Sequence, residues 1–133
     1  MRRIVTRLLA GETTGPVRHV PAAASAELPP FPHPGPPPDQ EVRARDVVTA
    51  ADGAPMAAGF LTLTRGEFPW TLTYDEIQYV VEGELHIGLP EGRVVGRPGD
   101  VIYVPRGTAI TFGTPSWAKF LNVTFPADWE GST

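Results

Sequence analysis

Glu76 is the residue with the clearest chemical potential in this sequence. It stands in "TYDEIQYVVEG", residues 73–83, between Tyr74 and Gln78. A strand with a period of two puts Glu76, Gln78 and Val80 on one face and Ile77, Tyr79 and Val81 on the other. Both faces are partly apolar, so both are expected to be covered. Burying a carboxylate without a partner is costly, which leaves two readings for the first face: solvent at a sheet edge, or the wet or ligand-filled interior of a barrel. In an apolar interior, desolvation raises a carboxyl pKa toward the range useful for proton transfer near neutrality. Glu76 is then the catalytic acid or base. Trp70, Leu72, Ile110, Phe112 and Trp117 would supply walls for an organic ligand, although aromatic residues in small barrels more often belong to plain core. Tyr74, Gln78, Tyr79, Tyr103 and Asn122 are candidate orienting hydrogen bonders, with Tyr79 disfavoured because alternation places it opposite Glu76.

Other chemistries have less support. There is no cysteine and therefore no disulfide or thiol chemistry. Of the three histidines, His86 lies in a strand and reads as a surface residue, while His19 and His33 belong to a proline-rich segment. A metal held by Glu76 with His33 or His86 is conceivable but has too few ligands for an ordinary site. Phosphate recognition would depend on Arg65, Arg93, Arg97 or Arg106, since no Walker loop is present and Lys119 is the single lysine.

The elements that must position these groups are strands. From about Arg45 onward, "AAGFLTLTRG", "EIQYVVEGELHIGL", "RVVGRPGDVIYVP", "TAITFGTP" and "AKFLNVTF" are short runs rich in Val, Ile, Thr, Tyr and Phe, separated by Gly, Pro or Asp turns. This is an all-β pattern with no amphipathic helix. Before it, nine of the sixteen prolines fall within the first 38 residues. "LPPFPHPGPPPDQ", residues 28–40, can form neither a helix interior nor a central strand, because proline lacks a donor and fixes φ; already restricted, it is suited to lie extended across a barrel mouth or a dimer partner. The expected organisation is a proline-rich extension over 1–44 and one β-domain over 45–133. A formal charge of −4 without a basic run argues against nucleic acid or an anionic membrane as partner. No run is long enough to span a bilayer. Arg7 interrupts the apolar start of the chain, so a cytoplasmic location is expected.

Two spacings then resemble the cupin motifs. Glu76-x6-Gly83 matches the end of the first, and Gly99-x5-Pro105-x-Gly107 the start of the second. The wording of "FPWTLTYDEIQYVVEGEL" and "GRPGDVIYVPRGTAITFGTPSWAKFLNVTFPADW" is similar to the cupin domain of the ethanolamine-utilisation EutQ family, over roughly Asp46 to Trp129. This resemblance implies a small single-domain jelly-roll β-barrel that usually pairs as a homodimer. In the usual cupin metal site, the first two histidines would fall on Trp70 and Leu72, or with the alternative spacing on Pro69 and Thr71. The third falls on Ile110. Only Glu76 of the ligand set remains, so no metal or other cofactor is expected. Three functions stay open: a metal-independent isomerase, cyclase or lyase acting on a small organic substrate through Glu76; the acetate kinase activity associated with EutQ-like proteins; and a barrel that only binds a ligand or an assembly partner.

Overall fold

The β-branched and aromatic runs form seven strands in the computed structural model, which describes residues 16–127. They are β1 (Val42–Val48), β2 (Ala57–Thr71), β3 (Asp75–Gly83), β4 (Leu85–Leu89), β5 (Gly92–Gly96), β6 (Val101–Val104) and β7 (Ala109–Phe125). Every pairing is antiparallel. The order is β1-β2-β7-β3-β6, with the β4–β5 hairpin attached to β7 through β4. The long strands β2 and β7 pair along nearly their whole length, with a register shift between Thr64 and Gly66. Shifts of this kind bend a strand, so β7 also reaches β3 with one half and β4 with the other. Among the described residues the helical content is two short 3-10 turns, Ala22–Ser25 and Ala50–Asp52, and no helix is long and apolar enough to cross a membrane. The all-β architecture expected from the sequence is the one observed.

The two motif turns serve the fold. A side chain at Gly83 would place its Cβ 1.9 Å from the Trp117 carbonyl oxygen, and the residue has φ +76°. Only glycine fits there. The Pro105–Gly107 turn is tied to the start of β3 by the Arg106 backbone N–H, which donates to Asp75 Oδ1 at 2.8 Å. The Gly107 N–H donates to the Leu72 carbonyl at 2.8 Å.

Alternation along β3 is as the sequence indicates. Glu76, Gln78 and Val80 are buried, whereas Ile77, Tyr79 and Val81 are exposed. The expectation that both faces are covered is corrected within the single chain. Ile77 pairs with Tyr103 and Tyr79 with Val101, giving an exposed apolar surface on β3 and β6. Inside, Leu63, Phe68, Leu72, Val80, Leu85, Ile87 and Phe120 form a fully buried core.

The proline-rich segment packs along the edge of the barrel. The Phe31 N–H donates to the Val42 carbonyl and the Ala44 N–H to the Pro29 carbonyl, both at 2.9 Å, beside a bridge between Pro30 and Arg43. Arg43 Nη1 adds a bond to the Leu28 carbonyl at 2.8 Å. A division at 44/45 therefore falls inside β1.

Candidate functional site

β3 and β7 bring the polar groups of the interior together, because Glu76 is paired with Thr124 and Gln78 with Asn122. Glu76 is 2% exposed. Its Oε2 accepts a hydrogen bond from Gln78 Nε2 at 2.9 Å, and Asn122 supplies a second hydrogen bond. Burial dominates over these two bonds and pushes the carboxyl from its usual 4.5 up to about 7. Nearby, Trp70 Nε1 donates to Tyr74 Oη at 2.6 Å. Burial, followed by the adjacent Glu76 charge, drives the Tyr74 phenol well above its ordinary range. Thr124 Oγ1 and Gln78 Oε1 are buried without a hydrogen-bond partner.

Glu76 forms part of the wall of a partly enclosed cavity of about 110 Å³. Trp70, Tyr74, Phe112, Asn122 and Thr124 line it with Leu61 and Phe68, and Phe31, Pro32 and His33 close over it from the arm. The arm is held by ring contacts: Phe31 lies 5.6 Å from Trp70 and 5.9 Å from Phe68 between centroids, and His33 lies 5.9 Å from Trp70. By comparison with a 150 Å³ apolar cavity that holds benzene, the space suits a molecule of roughly four to six heavy atoms.

Of the residues expected from the sequence, Glu76, Trp70, Tyr74, Phe112 and Asn122 meet at this cavity. Gln78 is fully buried behind Glu76 and orients it rather than lining the space. Leu72 and Ile110, expected as walls, lie in the hydrophobic core, and neither borders this cavity. Tyr103 and Trp117 lie at the surface and do not line this cavity. Tyr103 is 60% exposed because it shares the outer face with Ile77. Trp117 is 39% exposed and donates from Nε1 to Glu82 Oε1 at 3.0 Å. His86 lies outside the barrel, bonded to Glu84 and Arg93 at 2.9 and 3.0 Å.

Sequence reasoning passed over Thr124, Asp46, Phe68 and the arm residue Phe31. Thr124 carried a readable signal, since it stands two positions after Asn122 on the same strand face. Asp46 reaches the mouth because Gly59 leaves room: a Cβ there would meet Asp46 Oδ1 at 2.7 Å and Asn122 Oδ1 at 3.2 Å.

The cupin fold implies a metal, and the residues present do not fit one. Trp70 and Ile110, at motif histidine positions, face each other across the β2–β7 pairing. No three His, Asp or Glu side chains converge among the described residues. Glu76 with two amides is a poor donor set for zinc or iron, and Asp46 and His33 at the same cavity form no metal cluster with it.

The arm's contribution is open to a direct check. Deleting Met1–Pro38 removes Phe31 and His33 from the mouth while leaving all seven strands. The truncated protein is expected to keep its β-sheet circular dichroism and lose at least tenfold in small-ligand affinity by calorimetry. Unchanged affinity would show that the arm is no part of the site.

The family model for "Ethanolamine utilisation protein EutQ" matches residues 33–131. A Salmonella typhimurium protein described as "Acetate kinase EutQ" is 48% identical over 85 residues, 64% of this chain and 37% of that protein. The chain thus spans little more than a third of that relative's length. The structure of the Clostridium difficile EutQ protein superposes with a TM-score of 0.69 at 35% identity, covering 73% of this chain and 71% of the other. A cupin-like protein from Thermotoga maritima matches in fold, with a TM-score of 0.61 at 15% identity over 71% of this chain and 78% of the other. A family match over most of the chain, on a barrel shared with cupin-like proteins, means that this chain belongs to the EutQ family and has its cupin jelly-roll fold.

Proposed function

We propose that the barrel binds a small organic molecule beneath the arm and that Glu76 transfers a proton to or from it without a metal. The observation that carries this reading is the placement of a buried carboxyl, brought to about 7, in the wall of a small aromatic-lined cavity. A group with a pKa near the working pH is present in both protonation states and exchanges protons efficiently. Thr124 Oγ1, buried and without a protein partner, is suited to hold the polar end of such a ligand. Isomerisation, cyclisation and elimination can each proceed through such a transfer. Crystals soaked with a library of compounds of roughly four to six heavy atoms test the reading: ligand density beside Glu76 is expected, and density only outside the barrel would reject it.

The name of the Salmonella typhimurium relative supports a second reading, phosphoryl transfer involving acetate. The cavity is too small for a nucleotide, so that ligand would need another surface. Arg65 and Arg93 border one open cleft with His86 on the outside of the sheet, whereas Arg97 and Arg106 do not. Loss of phosphoryl transfer in an Arg65→Ala, Arg93→Ala double variant would favour this reading.

We further propose that the exposed surface of β3 and β6 pairs with a second copy. Ile77, Tyr79, Val101 and Tyr103 are each more than 40% exposed, and contiguous apolar surface of this kind marks an interface. The double variant Tyr79→Arg, Val101→Arg is expected to halve the mass in light scattering. Equal masses for parent and variant would remove this face from consideration.

A further inference from the structure

The cavity beneath the arm is lined by carboxylates and aromatic rings and by no lysine or arginine. The two arginines of β1 are directed elsewhere: Arg43 bonds Glu41 and the Leu28 carbonyl, and Arg45 bonds the Glu27 carbonyl. The titratable groups that face Glu76 are Tyr74 from the β2–β3 connection, Asp46 from β1 and His33 from the arm. β6 and β7 contribute none to the lining. Asp46 and His33 already have partners. Glu76 is thus a deeply buried carboxyl whose two amide hydrogen bonds favour its ionised form, yet the lining provides no Lys or Arg counter-charge.

Buried carboxylates are normally matched by a cation. Here the lining includes the rings of Phe31, Phe68, Trp70 and Phe112 beside Ala, Leu and Pro side chains, and aromatic rings attract cations through their quadrupoles. An anion would lie against Glu76 with no Lys or Arg in the wall to hold it. A neutral ligand would be matched only by the protonated form of Glu76, whereas the two amide hydrogen bonds favour the ionised form.

We propose that the cavity binds a small ammonium ion, with Glu76 as its counter-ion and the rings of Phe31, Phe68 and Trp70 around its alkyl part. This assignment rests on the cavity being the ligand site. It also gives the proton transfer a direction. In apolar surroundings a neutral pair costs less than an ion pair, so the carboxylate oxygen takes a proton from nitrogen. One N–H bond breaks, one O–H bond forms, and the lone pair left on nitrogen makes the amine nucleophilic.

Wherever that proton resides, the complex holds one proton fewer than a free ammonium ion and a protonated Glu76 together. Proton release on binding therefore reports the charge class of the ligand. The test is calorimetry on the full chain, with n-propylammonium, 1-propanol and acetate as probes of matched size, in buffers of differing ionisation enthalpy. At about pH 6, where Glu76 in the free protein is mostly protonated, n-propylammonium is expected to release close to one proton. At about pH 8.5 it is expected to release almost none. It is also expected to bind at least tenfold more tightly than either other probe. Glu76→Gln, which keeps the shape, is expected to abolish the proton release and the tenfold preference. Phe31→Leu, on the arm, is expected to weaken n-propylammonium severalfold and 1-propanol by less.

Equal or tighter binding of acetate or 1-propanol would overturn the ammonium assignment and leave the cavity as the ligand site. Binding of n-propylammonium with no proton release at about pH 6 would overturn it too. If none of the three probes binds, the cavity reading falls along with the assignment.

Discussion

Replacing Glu76 by Gln is expected to stabilise the protein above neutral pH by about 3 kcal/mol. The sign follows from where the proton is held. Below the usual carboxyl value of 4.5, Glu76 is neutral in both folded and unfolded chains, and its burial carries no ionic penalty. Between 4.5 and about 7, the unfolded chain releases a proton that the folded protein keeps, so stability falls as pH rises. Above about 7 the carboxylate is ionised in the folded state, and the full penalty of its burial applies. The amide in Glu76→Gln does not titrate, so the difference between parent and variant isolates this group. Urea denaturation of both proteins from about pH 4 to pH 9 is the measurement, with the parent losing stability across the window and the variant showing no such loss. Parallel curves would mean that Glu76 is solvated like a surface carboxylate.

The same substitution is expected to carry the largest functional cost. A positioned acid or base contributes about 10² to 10⁴ in rate. In any reaction that the chain turns over, Glu76→Gln should lower kcat by about 10² or more while the fold survives. If Glu76 acts as a base, kcat/KM of the parent should rise with pH through the group's value of about 7. Gains in stability accompanied by loss of turnover identify a residue retained for chemistry. Full activity in the variant would leave a barrel that only holds its ligand, or one that works through shape alone.

The fold was legible because its determinants are local. Turn glycines such as Gly83 and Gly107 and the alternation along β3 depend on a few consecutive residues, and these specify strands and their faces. The heart of the site was legible for the same reason: Glu76 and Gln78 share one face of one strand. Tyr103 and Trp117 were harder to place, since an aromatic side chain fits either surface of a sheet and register decides which. Tyr103 was assigned inward from its type alone, yet it pairs with the outward-facing Ile77. Ile110 was placed by analogy with a ligand position, and a hydrocarbon there is free to sink into the core. The arm's approach to the cavity was legible only as one of two placements, across a barrel mouth or against a dimer partner. Prolines forbid regular structure without specifying where an extended chain will lie, and the Phe31 contacts to Phe68 and Trp70 join residues nearly forty positions apart.

Glu76 is proposed as a proton-exchanging group in the wall of a ligand cavity. Titration of the Glu76 side-chain carboxyl by carbon NMR, with the resonance assigned by its loss in Glu76→Gln, tests this most directly. The expected midpoint is about 7, displaced when a small molecule occupies the cavity. A midpoint near the usual 4.5, unmoved by every ligand that binds the protein, would contradict the account.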